Sequence, residues 1–227
     1  ISFSSSLVGH IRGGLSMISI VAAMFFAGIS GSTAADTAAI GSVLIPAMEQ
    51  KGYGKDLATS VVGTAGAIGI IIPPSIPMVI LGITGSISIG GLFLGGVFPG
   101  ILMGLALMVT SAVYARHRNL PAERRATWKE RWNAFTDSIL ALMTMVIIMG
   151  GILSGVFTAT EASVVAAFYS FLVGRFVYGE LKWRDIPAIM VKTGITTGVV
   201  VLCIATASSF GWILAAEQIP DKIARAV

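Results

Sequence analysis

The chain has 227 residues, 55% of them hydrophobic and 11% charged, where a soluble globular domain carries roughly 25% charged residues. With a mean hydropathy of +0.89, this composition excludes an ordinary water-soluble domain and implies an all-α polytopic membrane protein embedded in the lipid bilayer. The formal charge of +4 does not indicate a nucleic-acid partner: the basic residues sit between apolar runs, where membrane topology places them, and not along one face.

A spanning helix needs about 20 apolar residues to cross roughly 30 Å of hydrocarbon. The first run, Gly13 to Met48, is long for one helix, and its middle reads Ser30-Gly31-Ser32-Thr33, residues that break or cap helices. With Arg12 before it and Lys51 after it, the simplest reading is a re-entrant hairpin that enters, turns inside the membrane and returns. Two full spans with an outside turn is the alternative. Thr33 followed by Asp36 has the spacing of an N-cap box, so Asp36 is either a helix cap or, as an intramembrane carboxyl, a functional group in need of a partner.

Leu57 to Ala115 carries no Asp, Glu, Lys or Arg and is long enough for two crossings if the Gly52–Asp56 turn is cytoplasmic. Within it, Ile72-Pro73-Pro74-Ser75-Ile76-Pro77 nearly excludes a continuous helix, since each proline removes an N–H donor and pushes the preceding residue out of α geometry. The carbonyls freed around Pro73 to Ser75, with the Ser75 hydroxyl, form an oxygen set suited to a hard cation such as Na⁺. Helix N-termini facing the same place suit an anionic carboxylate. A plain proline kink packed on its neighbours is the competing reading. The paired glycines at Gly90-Gly91 and Gly95-Gly96, and Gly100 beside Pro99, read as packing or hinge positions.

From Arg116 to Arg131 six basic residues face two acids, which makes this loop cytoplasmic by the positive-inside rule. Arg175 to Lys192 repeats the bias more weakly. Between them, Ala134 to Gly174 leaves and returns as two short helices meeting near Gly155 and Thr158, with Thr158-Ala159-Thr160-Glu161 as a second capping-box spacing. Glu161 is read first as that cap and secondarily as a site residue. Asp137 is read as interfacial. Tyr53, Trp128, Trp132, Tyr178 and Trp183 flank the spans as interface anchors. The last run, Thr193 to Ala216, is interrupted in composition by Thr206-Ala207-Ser208-Ser209; close helix packing is the first reading, and a cavity role for Ser208 and Ser209 the second.

An intramembrane enzyme would need a nucleophile, base or metal ligands converging at depth. His10 and His117 lie at span ends and the single cysteine, Cys203, has no partner nearby in sequence, so no catalytic residues are assigned. Two transport readings and a structural membrane scaffold remain on these residues alone.

The run Gly31-Ser32-Thr33-Ala34-Ala35-Asp36-Thr37-Ala38-Ala39-Ile40-Gly41, then Ile45-Pro46, Gly52-Tyr53 and Ile72-Pro73-Pro74-Ser75-Ile76-Pro77, resembles the large membrane subunit of tripartite ATP-independent periplasmic (TRAP) transporters. Gly155-Val156-Phe157-Thr158-Ala159-Thr160-Glu161-Ala162 is similar as well, although proline is usual where Ala159 stands. The resemblance covers essentially the whole chain. It implies a permease of the bacterial inner membrane that imports organic acids such as dicarboxylates or sialic acids by an elevator mechanism. It also implies Na⁺ as the coupling ion, with no other cofactor expected. The implied partners are a small membrane subunit and a soluble periplasmic binding protein that delivers the carboxylate substrate.

It further implies two inverted repeats, so that residues 1–116 hold the hairpin, broken helix and following span of the first repeat, 117–133 the basic loop, and 134–227 the opening helices of the second. Helices before Ile1, and a second hairpin and break after Val227, are expected of a longer protein. Cation and substrate are expected at Ser30, Gly31, Ser32, Thr33, Ala34, Asp36, Thr37, Ile72, Pro73, Pro74 and Ser75, with Na⁺ itself at Ser32, Thr33, Pro73 and Ser75. The rival within transport is a binding-protein-independent divalent-anion symporter built on similar hairpins.

Overall fold

In the computed structural model, which describes residues 1–219, Lys222 and Arg225, no strand occurs among the described residues. The helices are α1 (Ser2–Val8), α2 (Gly14–Ser30), α3 (Thr33–Gln50), α4 (Lys55–Gly66), α5 (Ile76–Gly85), α6 (Ile89–His117), α7 (Trp128–Leu153), α8 (Ala159–Leu172) and α9 (Ile186–Ala216). A 3₁₀ turn, Ala67–Ile70, continues α4. Packing divides the chain into two compact units, Ile1–Ser170 and Phe171–Val227.

The first unit is built around α2. Every residue from Gly14 to Ala23 is buried, and α2 packs against α1, α3, α4, α6 and α7, which is why it lacks the polar face of a surface helix. Gly31, at φ +62°, ends α2, and Ser32 caps α3, so the hairpin expected from Ser30–Thr33 turns within two residues. Besides Gly41, the buried residues of α3 are spaced four apart, Asp36, Ile40, Leu44 and Met48, so one helix face carries the carboxyl inward together with its apolar neighbours. Opposite them stand Ala58, Val62, Ala65 and Gly66 of α4. The contact climbs in register: Gly41 lies against Val62, Gly66 against Thr37, Gly69 against Asp36, and Gly31 against Pro74 and Ser75.

Helix α6 acts as a ruler for depth. Its first residue, Ile89, lies against Gly82 near the end of α5; Gly96 and Gly100 lie against Ile71 and Ile72 at the break; Ala115 lies against Gly13 at the hairpin base. At 1.5 Å per residue the break is about 16 Å from one end and about 22 Å from the other. Those distances together approach the roughly 40–45 Å of a bilayer with its headgroups, so tip and break meet well inside it. Two full spans with an outside turn, the alternative reading of Gly13–Met48, do not fit this geometry.

The basic loop is tied to the hairpin base. Gly13 N–H donates to the Pro121 carbonyl at 3.2 Å and Glu123 N–H to the Gly9 carbonyl at 2.9 Å. Lys51 Nζ is 2.5 Å from Glu123 Oε1, and Ser5 Oγ donates to Glu123 Oε2 at 3.0 Å. Buried Tyr53 donates its hydroxyl to Pro121 O and accepts Leu15 N–H, both at 3.2 Å. Burial pushes its phenol pKa up, so it stays a neutral hydroxyl. Helix α7 opens with a true capping box, Thr127 with Glu130, and Arg124 also pairs with Glu130.

In the second unit Phe171 and Trp183 pack ring to ring at 5.7 Å, with the Arg175 guanidinium 5.9 Å from the Trp183 ring. Helix α9 runs without a break through Thr206–Trp212, where the Thr206 and Ser209 hydroxyls are satisfied by the carbonyls of Leu202 and Ala205, each at 3.1 Å. Among the described residues four helices are long and apolar enough to cross a membrane: Ile89–His117, Trp128–Leu153, Ala159–Val177 and Trp183–Leu214.

Candidate functional site

The hairpin tip and the proline break touch directly. Ile76 N–H donates to the Gly31 carbonyl at 3.3 Å, and a Cβ on Gly31 would stand 2.6 Å from the Pro74 carbonyl oxygen, so only glycine allows this approach. On the break side, Ser75 is 1% exposed. Its hydroxyl donates to the Ile70 carbonyl at 2.7 Å and accepts Met78 N–H at 3.5 Å, which caps the end of the rising helix and the start of α5 with one side chain. The Pro73–Pro74 peptide is cis. Ile72 is a packing residue, its side chain lodged against Gly100 of α6.

On the tip side, Ser30 Oγ donates to Asp36 Oδ1 and accepts Ser32 N–H. Ser32 Oγ accepts Ala35 N–H at 3.4 Å. The expectation that Thr33 and Asp36 form the N-cap box is therefore corrected: Ser32 is the cap, and the Asp36 carboxyl turns away from the first turn to meet Ser30. It does so because its position shares the buried face with Ile40 and Leu44. Asp36 is 0% exposed, and its Oδ2 has no hydrogen-bond partner; the same holds for Thr33 Oγ1. Ala34 lies exposed on the first turn of α3, and half-buried Thr37 faces Gly66.

Two helix N-termini, of α3 and α5, thus begin at one contact, where the Gly31 carbonyl accepts Ile76 N–H and the Pro74 carbonyl lies against Gly31, while the orphaned Asp36 Oδ2 lies against Gly69 in the turn just before the break. Oxygen donors with no nitrogen or sulfur suit a hard cation, and the N-terminal dipoles suit an anion beside it. Among the described residues no group of three or more His, Cys, Asp and Glu side chains forms a transition-metal site.

Glu161 sits elsewhere in character. It is exposed, and its Oε2 accepts both the Thr158 N–H and hydroxyl at 2.8 Å, while Thr158 Oγ1 accepts Glu161 N–H, a complete capping box. Ser208 and Ser209 lie exposed on α9. Sequence reasoning missed Gly66 and Gly69, whose closeness to Thr37 and Asp36 was signalled only by glycines three apart just ahead of the prolines.

A buried carboxyl held where a hairpin tip meets a broken helix, with the hairpin packed against the long apolar helices α6 and α7, is an arrangement of the kind with which membrane transport proteins bind cargo at interrupted helices. Comparison with known proteins narrows it. A family model described as "Tripartite ATP-independent periplasmic transporter, DctM component" matches residues 1–227, and the chain belongs to that family. It is 43% identical over 224 residues to the C4-dicarboxylate TRAP transporter large permease protein DctM of Pseudomonas aeruginosa, covering 99% of this chain and 52% of that protein. It is 40% identical over 217 residues to the 2,3-diketo-L-gulonate TRAP transporter large permease protein YiaN of Escherichia coli, covering 96% and 51%. To the sialic acid TRAP transporter large permease protein SiaM of Vibrio cholerae it is 40% identical over 223 residues, covering 98% and 52%. The chain spans about half the length of these relatives. It is a multi-pass inner-membrane protein, and the relatives it matches are transporter permeases.

Proposed function

We propose that this chain forms the ion- and substrate-binding half of a large permease that imports organic acids coupled to Na⁺. The observation that carries the reading is the pair of orphaned, buried oxygens, Asp36 Oδ2 and Thr33 Oγ1, on the first turn of the return arm whose tip seats on the break. Leaving such groups without partners costs several kcal/mol in a membrane, and a cation removes that cost. Ser32, Thr33, Pro73 and Ser75 hold the Na⁺, with Asp36 supplying charge; the N-termini of α3 and α5 favour the substrate carboxylate beside it. Ser30, Gly31 and Pro74 shape the contact.

Relatives named for C4-dicarboxylate, sialic acid and 2,3-diketo-L-gulonate transport support a carboxylate substrate. By the same family likeness, the substrate arrives on a periplasmic binding protein, a small membrane subunit completes the complex, and the tip and break move together as one elevator body. Their direct hydrogen bond supports this last point. The test is uptake of a radiolabelled dicarboxylate or sialic acid into proteoliposomes holding the full-length complex and its binding protein, with and without a Na⁺ gradient. A Thr33→Ala/Ser75→Ala variant is expected to lose Na⁺-driven uptake; full transport by that variant overturns the assignment.

A further inference from the structure

The rising helix turns a glycine notch toward the return arm of the hairpin, and the notch meets the one fully buried carboxyl in the tip. Gly66 and Gly69 are both buried and three residues apart. A Cβ on Gly69 would stand 2.1 Å from Asp36 Oδ2 and 3.0 Å from its Cγ; a Cβ on Gly66 would stand 2.0 Å from Thr37 Oγ1 and 3.2 Å from its Cβ. The two clashes look alike in distance and differ in what gives way. The Thr37 hydroxyl is half-buried and belongs to a side chain with a second usable rotamer in a helix. The Asp36 carboxyl is 0% exposed and bound on its other oxygen by Ser30, so it cannot move from Gly69 without breaking that bond or pushing the hairpin off the helix.

We propose that Gly69 is a positioning residue of the coupling-ion site: its missing side chain sets where the Asp36 carboxyl stands, and hence how tightly Na⁺ is held. Gly66 is a packing residue of the same seam. Glycines at a helix interface ordinarily mean close packing and nothing more. The second observation, Asp36 Oδ2 buried without a partner and aimed into the notch, is what points past packing to a ligand. Binding groups must stand within about 0.5 Å of their working geometry, and the shift a Cβ would force on the carboxyl exceeds that. The inference rests on the Na⁺-coupled reading above.

The experiment compares Gly69→Ala with Gly66→Ala in the full-length complex in proteoliposomes, measuring the Na⁺ concentration for half-maximal uptake and the substrate KM at saturating Na⁺. Gly69→Ala is expected to raise the Na⁺ half-saturation about tenfold or more, as misplacement by an ångström typically does for a positioned group, with substrate KM at saturating Na⁺ within about twofold. Gly66→Ala, a comparable steric load on the same seam, is expected to lower thermal stability and leave the Na⁺ half-saturation within about twofold.

An unchanged Na⁺ half-saturation in Gly69→Ala, or equal shifts in both variants, overturns the proposal. Should Gly69→Ala fail to assemble, Ser30→Ala/Gly69→Ala frees the carboxyl to swing aside; positioning predicts that it assembles, with a Na⁺ half-saturation above that of Ser30→Ala alone, and an unchanged half-saturation, or failure of this variant too, assigns Gly69 to packing. If the unaltered complex takes up substrate without any Na⁺ dependence, the coupling reading itself falls, an outcome distinct from any of these.

Discussion

Two turns in this chain read almost alike and fold into different things. At Ser30–Thr37 and at Thr158–Glu161, small polar residues interrupt an apolar run and an acid follows. The first acid is 0% exposed with one oxygen orphaned; the second is exposed with its oxygen doubly satisfied by Thr158. The difference lies in the residues that follow. After Asp36 the buried apolar side chains are Ile40, Leu44 and Met48, in steps of four from the acid itself, with Gly41 beside them, so the acid shares the buried face. After Glu161 the buried positions are Ala162 and Ala166, one residue out of step, so the acid is rotated about 100° off that face. Whether such a carboxyl is turned into the protein or left outside as a cap is thus decided by the register of its apolar neighbours and not by the motif around it.

The comparison is broken most directly at Asp36. Asp36→Asn keeps the shape and the bond from Ser30 but removes the charge, and it is expected to abolish Na⁺-driven uptake in proteoliposomes, at least about 100-fold, while in Na⁺-free buffer the complex melts no lower than the unaltered one. An unpartnered buried carboxylate costs stability, so its removal is neutral or favourable. Retained uptake would reduce Asp36 to the structural role that Glu161 has.

Gly31→Ala tests the seat of the tip on the break. A side chain there meets the left-handed φ of +62° and the Pro74 carbonyl at 2.6 Å, a cost of about 1–3 kcal/mol from the backbone alone. The variant is expected to show both a lower melting temperature and lost uptake. Normal uptake would mean that the tip and break work apart.

A third test moves to the hairpin base, where the tie is mostly solvated. Lys51→Met should change stability by less than about 1 kcal/mol, since exposed ion pairs are worth little, whereas Tyr53→Phe removes a hydroxyl that serves Leu15 and Pro121 and should cost about 1 kcal/mol. The pH dependence separates them. Because burial raises the Tyr53 phenol pKa, the folded chain favours its protonated form; that stability is fully present below the unfolded value near 10 and is lost as pH rises through the folded value. Thermal melts above about pH 10 should therefore fall less steeply in Tyr53→Phe than in the unaltered protein.

Much of this architecture was legible because lipid leaves the backbone few choices. Charge-free runs located the spans, three prolines located the break, and Gly31-Ser32 located the turn. The identity of the cap was not legible, since Ser32 and Thr33 are both good caps and only the burial of Asp36 on the Ile40–Leu44 face draws the carboxyl out of a Thr33 box toward Ser30. Nor was Gly69, whose role appears only once α3 and α4 lie side by side. At Thr206–Ser209 the polar composition left close packing and a cavity role both open; α9 is continuous there, with hydroxyls that bond their own helix at i−4.

The smallest expected effect completes the contrast. Glu161→Gln keeps an acceptor for the Thr158 N–H and hydroxyl, and glutamine serves at the third position of a capping box as glutamate does. What is lost is a charge at the N-terminus of α8 in an exposed setting, where water already screens it. Uptake within about twofold of the unaltered complex, at an unchanged Na⁺ half-saturation, is the expected result. A loss comparable to that of Asp36→Asn would show that an exposed, fully capped carboxyl can carry transport. The register of the following apolar residues would then no longer distinguish a cap from a site in this fold.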